Sequence, residues 1–176
     1  MDISYSYEGV EGVTVTMNSG SVMVYSTDDG FNAAGGADSS GNSNPGGWGQ
    51  GGWGGGSFSS SNDYKLTFNG GYTYVNAAGD GLDSNGDMFI NGGYIFVSQT
   101  GGGNGSLDCG DNNNSINYTG GVLVAGGSSD MFETPSSYSF LTSSSLAAGS
   151  TVTFTDSNGT VLATMTFANS SSKMVM

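Results

Sequence analysis

The chain has 176 residues and a formal net charge of −13, and it contains 33 glycines but only 2 prolines. Its only basic side chains are Lys65 and Lys173, which excludes a protein that neutralises nucleic-acid phosphates and makes an anionic membrane surface repulsive. The absence of histidine excludes histidine-based triads and His-ligated zinc, and the single cysteine, Cys109, excludes an internal disulfide. No apolar run approaches the roughly 20 residues of a membrane-spanning helix.

Two short motifs alternate along most of the chain. One is an acidic or amide residue followed by glycine, an apolar residue and a second polar residue, and it occurs at residues 8–11, 29–32, 80–83 and, with one extra residue, 104–108. The other is a short strand, a glycine turn and a second short strand, at residues 15–24, 66–75, 88–97 and 116–125. Strand-and-turn repeats at intervals in the twenties predict an all-β chain, a β-solenoid in which the copies stack.

Alternation within each copy assigns the inward positions. Aligned copies place apolar residues in columns about 4.7–4.9 Å apart. The three expected core columns are Val15, Leu66, Met88 and Ile116; Met17, Phe68, Ile90 and Tyr118; and Val24, Val75, Val97 and Ala125.

The remaining segments lie outside the repeat. We expect residues 1–176 to form a single domain that carries a Gly/Ser/Trp-rich insert loop at residues 38–62. Residues 150–168 are predicted to form a C-terminal β-hairpin that turns at Asn158 and Gly159.

Several segments together resemble a family of bacterial carbohydrate-binding surface proteins, found mainly in clostridia and once catalogued as a domain of unknown function. They are residues 6–12, 28–36, 79–86, 104–108 and 123–129, in the family's order, and the resemblance covers roughly residues 5–165. It implies a right-handed parallel β-helix of the pectate-lyase shape that binds calcium, cellulose and polygalacturonate. Family members are usually longer, so the chain is expected to be a C-terminal part. No signal peptide is visible, and an extracellular or bacterial cell-surface location is implied by the resemblance alone.

Stacked acidic motifs place oxygen side chains in two columns. Like charges about 5 Å apart disfavour joint ionisation, and a cation between the copies relieves this. Oxygen ligands without histidine favour Ca²⁺, in a structural role or as a bridge to uronate carboxylates. The alternative is an acidic edge that water solvates. The candidate ligands are Glu8, Glu11, Asp29, Asp80, Asp83, Asn85, Asp87, Asp108 and Asp111.

The same alternation predicts an outward aromatic face. Tyr72 and Tyr94 share one column, and Tyr74 and Phe96 share the next. Such a patch rarely remains bare in water. Three covers are open: a polysaccharide chain stacked on the rings, the insert loop with Trp48 and Trp53, or another subunit.

These features favour a binding protein over an enzyme. A lyase needs a basic residue near the acidic corner, and neither lysine is expected there, while a repeated carboxylate column is a structural pattern rather than a unique acid–base pair. The leading hypothesis is therefore a non-catalytic, calcium-stabilised module that recognises cellulose- or pectin-type polysaccharide. The alternative is a subunit of a homo-oligomer or an extracellular filament, joined through end-to-end stacking of open strand edges.

Overall fold

The computed structural model describes residues 1–34, 63–110 and 114–176, and the described residues contain strands but no helix. In chain order the strands are β1 (Asp2–Ser6), β2 (Val10–Glu11), β3 (Thr14–Met17), β4 (Ser21–Ser26), β5 (Phe31–Ala33), β6 (Lys65–Phe68), β7 (Tyr72–Ala77), β8 (Leu82–Ser84), β9 (Asp87–Ile90), β10 (Tyr94–Gln99), β11 (Ile116–Tyr118), β12 (Val122–Gly127), β13 (Leu141–Thr142), β14 (Thr151–Thr155), β15 (Val161–Thr166) and β16 (Lys173–Val175). The predicted insert loop at residues 38–62 lies outside the described residues.

The strands form four sheets. A seven-stranded sheet has the order β1-β4-β7-β10-β12-β16-β13, and a four-stranded sheet has the order β11-β9-β6-β3. A three-stranded sheet, β2-β5-β8, carries the acidic motifs, and β14 and β15 form a separate antiparallel hairpin. The all-β character predicted from composition is confirmed.

The prediction of a right-handed parallel β-helix, a β-solenoid of the pectate-lyase shape, is wrong. The described residues form several sheets of mixed orientation: β16 pairs antiparallel with both β12 and β13, and the β14–β15 hairpin is a sheet of its own. The physical reason lies after Gly127, where the glycine-turn repeat ends. The C-terminal residues have hairpin alternation instead, and they return to pair against the last repeat strand.

The pairing between repeat copies follows the alignment of the sequence. Val15, Leu66, Met88 and Ile116 lie side by side across β3, β6, β9 and β11. All four are buried, and Leu66 and Met88 have no exposed surface. The main core therefore lies beneath the repeat strands, as the predicted columns require.

Glycine turns connect the four-stranded sheet to the seven-stranded sheet. Gly20, Gly71, Gly93 and Gly121 all have positive φ, between 88° and 95°, which a residue with a Cβ adopts only with strain. Beside these turns the amide of Asn69 donates to Asn18 Oδ1 at 2.9 Å, and the amide of Asn91 donates to Asn69 Oδ1 at 2.9 Å. The asparagines thus connect successive copies, in addition to any role in their own turns.

Candidate functional site

The acidic motifs of successive copies lie in register on the three-stranded sheet. Val10 pairs with Phe31, Phe31 with Leu82, and a bridge joins Leu82 to Leu107. The last of these pairs shows that the extra residue in the fourth motif is accommodated without loss of alignment. The aligned apolar residues are buried in the last three copies and partly buried at Val10, so the polar residues that flank them lie in columns along the same edge.

Glycine in each motif allows the copies to approach closely. The amide of Gly30 donates to the carbonyl of Asp80 at 2.9 Å, and the amide of Gly81 donates to the carbonyl of Gly105 at 2.9 Å. A Cβ on Gly81 would overlap the side chain of Val97 and the carbonyl oxygen of Ser106. The close approach is therefore what brings the neighbouring carboxylates together.

A cavity of about 420 Å³ opens at this edge. Most of its polar walls come from carboxylates and side-chain amides, and the polar side chains that line it include Asp28, Asp29, Asn32, Asp80, Asp83, Ser84, Asn85, Asn104 and Asp108. We call this cavity the acidic pocket. Its volume is within the usual range for ligand sites.

Backbone hydrogen bonds hold two of these carboxylates in place. Asp29 Oδ1 accepts from the amide of Asp80 at 2.6 Å, and Asp29 Oδ2 accepts from the side-chain amide of Asn32 at 3.0 Å. Asp80 Oδ1 in turn accepts from the amide of Gly105 at 2.5 Å. Each acid thus bonds to the backbone of the next copy, so the side chains are fixed by the same contacts that align the repeats.

Burial dominates the electrostatics of the acidic pocket. It raises the pKa of Asp80 to about 8, against the opposing hydrogen bond from Gly105 and with additional repulsion from Asp29 and Asp108. Burial also raises the pKa of Asp83 well above its ordinary value, and the neighbouring carboxylates, Asp80 first, raise it further. Asp80 therefore holds a proton at neutral pH, and ionisation of Asp83 is disfavoured, unless a cation compensates their charge.

The donor atoms of the acidic pocket fit calcium in their chemistry. They are carboxylate and amide oxygens, the hard ligands that Ca²⁺ takes, whereas the sulfur atoms of the lining residues Cys109 and Met131 are soft ligands that suit this ion poorly. Among the described residues, however, no three His, Cys, Asp or Glu side chains are grouped closely enough to hold a metal ion as they stand. The pocket therefore has suitable donors but no preformed carboxylate cage.

The other predicted ligands lie in different surroundings. Glu8 is close enough to raise the pKa of Asp83 by repulsion, whereas Glu11 is an exposed residue of β2 opposite Asn32. Asp87 belongs to the four-stranded sheet, where its Oδ1 accepts from the amide of Ser115 at 3.0 Å. Asp111 lies outside the described residues. Asp28, which sequence reasoning did not select, lines the pocket, and its position beside Asp29 was the available signal.

Cys109 also lines the acidic pocket, but it is not poised for chemistry. Its Sγ donates a hydrogen bond to Glu133 Oε2 at 2.5 Å, and its backbone amide donates to the same oxygen at 3.1 Å. Burial, followed by the bond to Glu133, raises the pKa of the Cys109 thiol far above its ordinary value. The thiol is therefore a hydrogen-bond donor within the fold.

The predicted aromatic columns form on the outer face of the seven-stranded sheet. Tyr72 is opposite Tyr94, and Tyr74 is opposite Phe96. Tyr94 is 56% exposed and Tyr72 is 40% exposed, whereas Phe96 is only 8% exposed. The column of Tyr72 and Tyr94 is therefore exposed, whereas Phe96 in the neighbouring column is buried, although both columns have the same spacing.

The C-terminal hairpin covers part of this face. Phe96 is buried in a second apolar cluster with Val124 and with Phe154, Met165 and Phe167 from the C-terminal segment, and Tyr74 packs against this cluster. Sequence reasoning considered a glycan, the insert loop or another subunit as the cover and did not consider the hairpin. Trp48 and Trp53 lie outside the described residues.

Two further tyrosines extend the uncovered part of the face. Tyr25 on β4 is 37% exposed, and its ring centroid is 5.9 Å from that of Tyr74. Tyr5 on β1 is 83% exposed and precedes Ser6, which pairs with Ser26. Period-2 alternation from Met23 to Tyr25 could have identified the first of them. We call the set Tyr5, Tyr25, Tyr72, Tyr74 and Tyr94 the tyrosine face; four of them are exposed, and Tyr74 is half-buried against the hairpin cluster.

Comparisons with protein-family models, with curated proteins and with solved structures found no match to the chain. The resemblance to clostridial carbohydrate-binding proteins is therefore an expectation that these comparisons do not test. Within the described ranges, no helix is long and apolar enough to cross a membrane.

Proposed function

We propose that the chain is a non-catalytic polysaccharide-binding protein and that the tyrosine face is its binding surface. The observation that carries this proposal is the pair Tyr72 and Tyr94, which lie opposite each other on adjacent parallel strands and are both exposed. Tyrosine offers a sugar ring an apolar surface together with a hydroxyl for hydrogen bonding. An extracellular or cell-surface location goes with this proposal, because such polysaccharides lie outside cells.

Charge favours a neutral polysaccharide. At a net charge of −13 the chain repels polyanions at long range, and this repulsion weakens as salt screens it. A cellulose-type chain carries no charge and can stack on the tyrosines directly. Polygalacturonate is polyanionic, so its binding would require calcium as a bridge, and the acidic pocket is the place where such an ion would be held.

A non-catalytic role is supported by the carboxylates of the acidic pocket. Hydrolysis of a glycosidic bond uses two carboxyl groups whose environments separate their pKa values. Here burial is the largest cause that raises the pKa of Asp80 and of Asp83 alike, so no contrast in environment marks one of them as the acid and the other as the base. The exposed tyrosines, moreover, project from the seven-stranded sheet, whereas the acidic motifs belong to the three-stranded sheet.

Calcium is the cofactor that we propose, with a structural role. Its support is the set of carboxylate and amide oxygens that line the acidic pocket and the cost of ionising buried Asp80 and Asp83 without a counter-charge. Binding would draw these carboxylates together and stabilise the folded chain. Calorimetric titration of the full chain with CaCl₂ tests this: heat that saturates supports the site, and the absence of binding refutes it.

Pull-down on insoluble cellulose tests the main proposal. We expect the double variant Tyr72→Ser, Tyr94→Ser to lose most of its retention while its Tm remains close to that of the parent, because both side chains are exposed. Val161→Ser removes a similarly exposed apolar side chain from the hairpin and serves as the control. Retention of the double variant at the level of the parent would refute the proposal.

Self-assembly is the second candidate, and the position of β1 favours it. β1 is the outermost strand of the seven-stranded sheet, and among the described residues no strand pairs with its other edge. An unpaired edge can accept a strand from another molecule. Size-exclusion chromatography with light scattering tests this candidate, since a monomer at all accessible concentrations would eliminate it.

A further inference from the structure

A second cavity lies where the row of exposed tyrosines ends. It has a volume of about 390 Å³ and lies between the start of β12, the segment 137–139 and Leu162 of β15. Its walls include Tyr118, Val122, Tyr138 and Leu162. We call it the end pocket. Neither the acidic pocket nor the tyrosine face includes any of these residues.

The end pocket continues the row of the tyrosine face. Tyr72 pairs with Tyr94, and Tyr94 pairs with Val122, so the three residues lie in line across β7, β10 and β12. The row stops at Val122, because β16 pairs with β12 only at Ala125–Gly127. A chain lying on Tyr72 and Tyr94 is therefore directed toward the end pocket.

The walls of the end pocket are held by hydrogen bonds. The hydroxyl of Tyr118 donates to the carbonyl of Gly121 at 2.6 Å, and the backbone amide of Tyr118 donates to Ser136 Oγ at 2.9 Å. The amide of Ser136 donates to the carbonyl of Ile116 at 2.8 Å, which fixes the start of the next segment to β11. The walls of the pocket are thus tied to β11 and to the turn before β12 by the hydrogen bonds of the fold itself.

The chemistry of the end pocket suits a neutral, amphipathic ligand. No charged side chain is among its described lining residues, in contrast to the strongly acidic chain as a whole. Tyr138 and Leu162, which both line the pocket, are 49% and 47% exposed, so they offer apolar surface that a ligand can cover. Ser137 and Ser139 also line the pocket, and the Ser137 hydroxyl, which donates to the carbonyl of Tyr118 at 3.4 Å, can accept a further hydrogen bond.

We propose that the end pocket binds the terminal sugar unit of a neutral polysaccharide chain whose preceding units lie on Tyr94 and Tyr72. This inference rests on the proposed function and adds that the protein recognises a chain end. The apolar faces of the terminal ring contact Val122, Tyr138 and Leu162, and its hydroxyls bond to the serine wall. Internal segments of a polysaccharide contact the tyrosine face alone.

Calorimetric titration with short soluble cello-oligosaccharides tests the pocket. We expect the double variant Tyr138→Ser, Leu162→Ser to bind them about tenfold more weakly than the parent. Val161→Ser, which changes the neighbouring exposed residue outside the pocket, should bind like the parent. Both pocket side chains are half-exposed, so circular dichroism should show the parent's fold.

End recognition is tested by capping. Attachment of a bulky fluorophore to one of the two ends of the oligosaccharide should abolish the contribution of the pocket, whereas a fluorophore at the other end should be tolerated. Equal binding of both capped forms, or unchanged affinity of the pocket variant, would overturn the inference. A change in oligomeric state without a change in sugar affinity would overturn it too, since the pocket would then hold a second copy. The proposed function fails separately, through unchanged cellulose retention of the Tyr72, Tyr94 variant.

Discussion

Asp29 accepts a hydrogen bond from the backbone amide of Asp80 at 2.6 Å, although the two residues are 51 positions apart in the chain. The bond holds a carboxylate against the backbone of the following copy, and Asp80 repeats this with Gly105. The hydrogen bonds that align the copies of the repeat therefore also bring their carboxylates close together. Stability of this edge must depend on protons or on a cation.

Without divalent cations, the stability of the protein should fall as the pH rises from about 4 to about 8. In this window the folded chain retains a proton on Asp80 that the unfolded chain has released, because the pKa is raised from 3.8 to about 8. The stabilisation is therefore complete below the ordinary carboxyl pKa and is lost as the pH approaches the raised value. Thermal melts in EDTA across this range measure the effect, and Asp80→Asn should flatten the profile. A Tm in EDTA that rises across the window would contradict the prediction.

Calcium should raise the Tm more near pH 8 than near pH 5, since protons and the cation compete for the same carboxylates. We expect Asp83→Asn to remove most of the calcium-dependent increase, because Asp83 is buried within the acidic cluster. Asp2→Asn, which changes an exposed carboxylate on β1, is the control and should respond like the parent. Melting curves that are the same with CaCl₂ and with EDTA would show that the acidic pocket works through protons alone.

Phe96→Ala should destabilise the protein by about 3 kcal/mol, the usual scale for a buried phenylalanine. The side chain lies beneath the hairpin in the second apolar cluster, and its loss leaves a cavity against Phe154 and Met165. Tyr94→Ala, two residues earlier on the same strand and largely exposed, should change the free energy of unfolding by less than about 0.5 kcal/mol. Urea denaturation of both variants measures the contrast, and equal losses would mean that the hairpin does not cover Phe96.

Gly81→Ala should be among the most damaging single substitutions, with a loss of about 3 kcal/mol or more. A methyl group there would overlap the Val97 side chain and the Ser106 carbonyl, which belong to the packed interior and to the next copy. Gly102→Ala is the matched control, because its nearest neighbour would be Asp130 Oδ2 at 3.9 Å. Denaturant midpoints of the two variants should differ clearly, and similar midpoints would argue against the close approach of the copies.

The register between copies of the repeat could be predicted from the sequence, whereas the antiparallel pairing of β16 with β12 could not. Leu66 and Met88 align because each lies at the same distance before an Asn-Gly-Gly turn, and a pattern of this kind is local. The antiparallel return of β16 depends on which of several sheet edges a short strand reaches, and Lys173–Val175 carries no signal for that choice. The expectation of a single parallel β-helix extended the local pattern to residues that do not share it.

The candidate site, like the fold, could be predicted from the sequence only in part. Asp80 and Asp83 were selected because they recur at a fixed place in the motif, and the structure places both in the acidic pocket. Phe96 and Tyr94 look equivalent in sequence, and only the tertiary position of the hairpin buries one and leaves the other exposed. Burial by a distant segment has no periodic signature, so the division of the aromatic face could not be predicted.

The antiparallel strand β16 has a consequence for how the protein can change in length. Because it pairs against β12, a new copy of the repeat cannot be appended there without displacing the C-terminal segment. A duplication placed between β7 and β10 would instead keep every existing pairing type and lengthen the tyrosine row by one strand spacing, about 4.8 Å. The number of internal copies would then set the distance between Tyr72 and the end pocket, and with it the number of ligand units that this distance spans.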